Sequence, residues 1–190
     1  QDKREIIDAA IINQKIPWQK VHIFMVDERL VPTNSPDSNF LLAKNTFIDY
    51  LTENYLLPKT NLHPFTYFNL PIEKATNSYK NELREISHKF DIVLLSAGED
   101  GHVASLYPNH ETIKSSEEFF LITNNSPKPP RRRISASRKL IQKSQTVILL
   151  FFGNKKRQAY KNFLNKEMSM QDCPAKLIKK IEDSYILTDL

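Results

Sequence analysis

Continuous apolar, β-rich runs recur along this chain at 21–26, 91–95, 119–123, 146–152 and 185–188, with amphipathic segments between them. Uninterrupted hydrophobicity, as opposed to strict alternation, marks strands buried on both faces, the habit of parallel sheets. The intervening segments carry helical spacing. Ile6, Ile7, Ala10 and Ile11 share a face within 3–13; Phe40, Phe47, Ile48 and Leu51 follow the Ser35-Pro36 start; Ala75, Tyr79, Leu83 and Ile86 follow Pro71. Residues 155–163 and 175–181 also read as helices. Strand and helix in alternation imply right-handed crossovers and a layered α/β domain with a mostly parallel sheet. The length suits a single domain over 1–190, and the Pro-rich stretch 126–130 is a loop too short to divide it.

In such folds ligands gather beyond the carboxyl ends of the strands. The run at 21–26 leads into Asp27-Glu28-Arg29, the run at 91–95 into Ser96-Ala97-Gly98-Glu99-Asp100-Gly101-His102, and the run at 146–152 into Gly153-Asn154-Lys155-Lys156. All three glycines of the chain lie at these ends, where about 13 would be ordinary for the whole length. Glycine kept for such places points to a backbone at positive φ or in close approach to a ligand. His102 is the strongest candidate base, because an imidazole takes up a proton near neutral pH. Asp100, two residues earlier, is placed to accept a hydrogen bond from its other ring nitrogen; the competing reading is a plain Asp-Gly turn followed by a capping His. Arg29 suits a phosphate or carboxylate, or else pairs locally with Asp27 or Glu28. Lys128, Arg131, Arg132, Arg133, Lys155 and Lys156 are cationic candidates for an anion, the last two at an expected helix N-terminus.

Composition removes other classes. Residues 1–125 hold 12 Lys/Arg against 17 Asp/Glu, and residues 126–190 hold 15 against 5, so the basic third faces an anion. No aromatic residues interleave with its arginines, which argues against stacked bases and a nucleic-acid partner. No run reaches the roughly 18 apolar residues of a membrane helix. The lone Cys173 excludes an internal disulfide and a multi-thiolate metal site, and a reducing, cytoplasmic setting is the natural expectation. Metal-ligand spacing is absent, as are the glycine-rich nucleotide motifs, so neither metal nor cofactor is expected.

The ordered motifs resemble one known family. "WQKVHIFMVDERLVPTNSPDSN" (18–39) resembles the Asp-Glu-Arg and following Asp-Ser-Asn segment of the 6-phosphogluconolactonases. "DIVLLSAGEDGHVASLYP" (91–108) is similar to their central Asp-Gly-His pattern, and "SPKPPRRRIS" (126–135), "GNKK" (153–156) and "PAKLI" follow in the family's order. The resemblance covers nearly the whole chain. It implies the three-layer Rossmann-like fold shared with glucosamine-6-phosphate deaminases, and hydrolysis of 6-phospho-D-glucono-1,5-lactone to 6-phosphogluconate. By the match, His102 is the general base and Asp100 fixes its tautomer. Arg29, Arg133, Lys156 and, more weakly, Lys128 engage phosphate or polarise the substrate. Gly98 and Gly101 shape the site, and Asp27, Glu28 and Asn39 belong to the motif framework. The partner implied is a small sugar-phosphate lactone, in a chain fused to or acting beside glucose-6-phosphate dehydrogenase.

Within the wider family the deaminase branch is disfavoured. Its Asp-Glu segment ends in an aromatic residue where Arg29 stands, and it carries a further acid where this chain has Ala104-Ser105-Leu106-Tyr107-Pro108. A catalytically silent sugar-phosphate-binding domain of a larger polypeptide is the other alternative. The pattern departs at Ser96, which replaces a glycine, and the family's first strand and Gly-Gly-Ser/Thr loop have no counterpart. The expectation is therefore an N-terminally truncated domain with an open sheet edge and weakened phosphate binding.

Overall fold

The computed structural model describes residues 16–54, 56–68 and 70–190. The helix expected over 3–13 lies outside them. The described chain runs β1 (Ile23–Phe24), β2 (Asp27–Arg29), α1 (Asn39–Ala43), a π-helical turn (Lys44–Ile48), α2 (Asp49–Glu53) and β3 (Leu62–His63). It continues through α3 (Ile72–Ile86), β4 (Ile92–Ser96), α4 (Glu111–Lys114), β5 (Phe120–Thr123), β6 (Arg133–Ala136) and α5 (Arg138–Gln142). The last elements are β7 (Thr146–Phe151), α6 (Arg157–Leu164), a 3-10 segment (Pro174–Lys180) and β8 (Asp183–Thr188). The parallel ladders with intervening helices give the mixed α/β architecture that the alternating pattern demands.

Two compact units divide these elements, one holding residues up to 25 with 31–66 and the other holding 26–30 with 67–190. In the smaller unit β1 and β3 pair in parallel, Ile23 opposite Leu62 and Phe24 opposite His63. Asn61 is buried and its Nδ2 donates to the carbonyls of Gln19 and Val21, tying the two strand approaches together. Ser38 caps α1, its Oγ accepting the Leu41 N–H, and Ile48, Leu51, Leu57 and Phe65 supply the unit's core.

The larger unit holds two sheets. In the first, β4, β7 and β8 run parallel, Leu94 opposite Ile148 and Ile148 opposite Tyr185. One face packs inward through Val93, Leu95, Val147, Leu149 and Phe151, none more than 3% exposed. Helix α6 covers it with Ala159 and Phe163, whose ring centroid lies 5.5 Å from that of Phe151; burying one such phenyl is worth about 2 kcal/mol. The 3-10 segment adds Leu177 and Ile178. The opposite face leaves Ile92, Leu94, Tyr185 and Leu187 exposed, and β4 is an edge of this sheet among the described residues. In the second sheet β6 lies between β2 and β5, antiparallel to both.

Three expectations are corrected. The run at 119–123 belongs to an antiparallel ladder, not the parallel sheet. Its apolar continuity arises because Phe120 and Leu121 are both buried, with the ring of Tyr79 from α3 tilted against Phe120 and that of Phe90 edge-on to it. The run at 21–26 is not one strand; it breaks at Met25, and Asp27–Arg29 form β2 themselves instead of a loop beyond a strand end. The helix expected over 175–181 is a 3-10 segment, Pro174–Lys180, which opens on a proline and is tied down by Lys176 Nζ on the carbonyls of Asn165 and Met168.

Candidate active site

Strand β4 delivers the central motif. After Ser96 the Ala97 N–H still donates to the Leu150 carbonyl at 3.0 Å, and then the backbone turns. Gly98 N–H donates to the His102 carbonyl at 2.8 Å and Gly101 N–H to the Gly98 carbonyl at 3.0 Å, closing a tight loop. Gly101 sits at φ +86°, a left-handed conformation that glycine adopts without penalty, and a Cβ there would stand 2.8 Å from Cys173 Sγ. Gly98 has a different reason to be glycine. A Cβ on it would lie 2.0 Å from both Cε1 and Nδ1 of His102, so the imidazole rests directly on its Cα.

Within this loop Asp100 Oδ1 lies 2.5 Å from His102 Nδ1 and also accepts the His102 backbone N–H at 3.1 Å. A carboxylate can only accept there, so Nδ1 carries the proton and the Nε2 lone pair is left for another partner. The imidazole is mostly enclosed, with 16% of its side chain exposed, and its ring leans on Tyr107 at 4.9 Å between centroids. Burial pushes the Asp100 carboxyl up. The hydrogen bond and charge of His102, helped by the charge of Lys128, outweigh that and hold it well below the usual carboxylate range. A carboxyl with a depressed folded value contributes stability above its unfolded value near 3.9 and loses it as pH falls through the folded value. Thermal melts at pH 6 and pH 3 should therefore show the wild-type chain losing more stability on acidification than Asp100→Asn.

The 3-10 segment supports the loop from below. Ala175 N–H donates to the Gly101 carbonyl at 2.9 Å. Lys176, buried at the same place, donates through Nζ to the carbonyls of Asn165 and Met168, which ties the segment to the end of α6. Cys173 is fully buried and burial pushes its thiol up, so it packs as a small apolar residue.

The antiparallel sheet joins the loop through Ser105, whose Oγ donates to Asp27 Oδ2 at 2.8 Å while its N–H reaches Ser135 Oγ at 3.2 Å. Glu28 is buried and its Oε1 accepts the Arg29 N–H at 2.7 Å. Arg29 stands opposite Arg133 in the β2–β6 ladder. Lys128 reaches Asp100, Nζ to Oδ2, at 3.5 Å. Asn39 belongs to the other unit, where it opens α1 behind the Ser38 cap.

Two of the groups expected near the phosphate have partners within the chain. The Arg133 side chain is only 6% exposed. Its Nε donates to the Pro130 carbonyl, and its Nη2 donates to those of Lys128 and Pro129, with Nη1 at 3.9 Å from Asp27 Oδ2. It anchors the 128–130 loop from within. Arg131 and Arg132, just before β6, are exposed, and burial begins at Arg133. Arg133→Met, which removes those donors, should cost about 3 kcal/mol in urea unfolding; a pure phosphate ligand would raise KM and leave stability unchanged. At the end of β7, just before Lys155 and Lys156, the Gly153 N–H donates to Asp189 Oδ1 at 2.8 Å. Lys156 is half-buried in the 3-10 turn after it.

Sequence reasoning passed over the hydroxyls behind this site. Ser126, fully buried, sits 2.9 Å from both Tyr107 Oη and the Lys128 carbonyl and accepts the Lys128 N–H at 3.2 Å. The carbonyl can only accept, so Ser126 gives its proton there and takes that of Tyr107. The unit's open groove of about 1020 Å³, along α3, α4 and β5, contains neither Asp100 nor His102; chemistry, not cavity size, identifies the site. No three His, Cys, Asp or Glu side chains cluster as a metal site among the described residues.

Known proteins resemble this chain in sequence and in fold. The family model of glucosamine-6-phosphate isomerases/6-phosphogluconolactonase matches residues 4–187. The chain is 35% identical over 182 residues to a 6-phosphogluconolactonase of Borreliella burgdorferi, covering 96% of this chain and 77% of that protein. The crystal structure of a 6-phosphogluconolactonase from Thermotoga maritima superposes with a TM-score of 0.79 at 30% identity, over 93% of this chain and 76% of that one. A monomeric glucosamine-6-phosphate deaminase superposes at 0.77 with 19% identity, a likeness of fold.

Proposed function

The chain belongs to the glucosamine-6-phosphate isomerase/6-phosphogluconolactonase family, and from that premise we propose that it hydrolyses 6-phospho-D-glucono-1,5-lactone to 6-phospho-D-gluconate. The observation that carries the reading is the His102–Asp100 pair on the β4 loop, in which Nδ1 is held by the carboxylate and Nε2 is left to act as base. A water held by Nε2 gives up a proton as its oxygen attacks the lactone carbonyl carbon, C1. Asp100 stabilises the imidazolium that forms. The tetrahedral intermediate then breaks the bond between C1 and the ring oxygen, and that oxygen takes the proton back from His102 to become the C5 hydroxyl. The new carboxylic acid ionises in water, so one proton is released per lactone opened.

Arg29, Lys156 and the outward-facing Arg131 are proposed as the cations for the 6-phosphate, since Arg133 is committed to backbone carbonyls. The step needs no redox chemistry. A dehydrogenase that oxidises glucose 6-phosphate at C1 supplies the lactone, and we place this chain beside such an enzyme or fused to it, in the cytoplasm. No helix of the described residues is long and apolar enough to cross a membrane. The deaminase reading is tested by offering glucosamine 6-phosphate. The account expects one proton per lactone and no ammonia from the amino sugar; ammonia release would move the chain to the other branch.

A further inference from the structure

We propose that Lys128 is a positioning residue, whose ammonium holds Oδ2 of Asp100 so that Oδ1 stays on His102 Nδ1; this deepens and rests on the hydrolase reading above. The three groups stand in line. Lys128 Nζ is 3.5 Å from Asp100 Oδ2, and Asp100 Oδ1 is 2.5 Å from His102 Nδ1. A carboxylate on an exposed turn has a broad terminal torsion, and 37% of the Asp100 side chain meets solvent. With one oxygen anchored, Asp100 exchanges its oxygens or swings toward water and drops Nδ1. With both anchored, on groups from opposite sides, it does not.

An exposed Lys–Asp pair by itself contributes little, because the long side chain gives up its freedom for a screened contact. Here the root of the lysine is fixed. The Lys128 carbonyl accepts from Ser126 Oγ and Arg133 Nη2, and its N–H donates back to Ser126 Oγ. Ser126 is in turn bonded to Tyr107 Oη, and the Tyr107 ring lies against the His102 imidazole. The backbone that carries the ammonium and the ring it steadies thus belong to one buried network. That network also explains why a guanidinium is buried at Arg133. Its donors are spent on the consecutive carbonyls of Lys128, Pro129 and Pro130, which sets the loop from which Lys128 reaches across. Lys128 brings its charge to Asp100 Oδ2 and Tyr107 lays its ring on the imidazole, while the buried Arg133 holds the Lys128 carbonyl and stands 3.9 Å from Asp27 Oδ2.

The test compares Lys128→Met, which keeps the stem and removes the charge, with Lys128→Arg, which keeps the charge. The first readout is the proton NMR resonance of His102 Nδ1–H in the free protein, assigned with His102→Gln, and it needs no substrate. The second is kcat and KM on the phosphorylated lactone. In Lys128→Met the resonance should broaden or vanish as the proton exchanges with water. Its kcat should fall about tenfold, short of the ~10²-fold that a misplaced catalytic group can cost, with KM little changed. Lys128→Arg should restore the resonance and most of kcat. An unchanged resonance in Lys128→Met overturns the proposal, whether KM rises, as for a simple phosphate ligand, or nothing moves, as for a solvated lysine. If the wild-type chain opens no lactone, the hydrolase reading fails, while the resonance still decides whether Lys128 holds the pair.

Discussion

Gly98→Ala should abolish most catalysis while leaving the fold in place. The added methyl would lie 2.0 Å from two atoms of the His102 ring and 2.8 Å from Asp100 Oδ1, far inside contact distance, so the imidazole and its carboxylate partner must shift. Gly98 is not in the left-handed region, so alanine is no burden on its own backbone. The strain falls on the imidazole, which must leave Asp100 or tilt off Tyr107. A loss of about 10²-fold or more in kcat/KM is expected, as for a misplaced catalytic group, with a melting temperature within a few degrees of wild type. Steady-state kinetics with a circular dichroism melt checks both halves. A fully active Gly98→Ala chain would mean that the His102 ring does not work from where the structure puts it.

His102→Gln is the second large effect. Glutamine keeps polarity and approximate size but cannot act as a base near neutral pH. Turnover above the spontaneous rate should fall by about 10²- to 10⁴-fold, the usual worth of general-base assistance. KM should change far less, since the ring faces the attacking water and not the phosphate. Near-normal turnover in this variant would require another base on the β4 loop, and the described residues place no second imidazole there: His110 caps α4, His88 is exposed on the surface, and His22 pairs with His63 in the other unit.

The candidate base and its carboxylate partner are legible in the sequence because their spacing is local. Gly98, Asp100, Gly101 and His102 lie within five residues, and a turn that compact leaves few ways to arrange an imidazole and a carboxylate. The parallel ladder was legible too, since β4 and β7 are continuous apolar runs. The cationic half was not. Three adjacent arginines look alike in a sequence, and only the entry into β6 turns Arg133 inward while Arg131 and Arg132 face water. The short run Arg133–Ala136 has too little apolar content to announce a strand, although all four residues are buried between β2 and β5. Ser105, Ser126 and Tyr107 escaped notice for the same reason: their partners Asp27, Lys128 and Ser135 are 19 or more residues away or lie in a loop of no regular period. Asp189, which takes the Gly153 amide, is 36 residues distant. Long-range hydrogen bonds leave no periodic trace, and that is where the site's second half resides.

The most direct test of the account is the rate at which the wild-type chain opens freshly generated 6-phosphogluconolactone, with the spontaneous rate subtracted and His102→Gln run in parallel. The account predicts turnover well above background that vanishes with the histidine. A folded chain that binds 6-phosphogluconate yet opens the lactone no faster than buffer would contradict it, and would make the domain a silent sugar-phosphate binder.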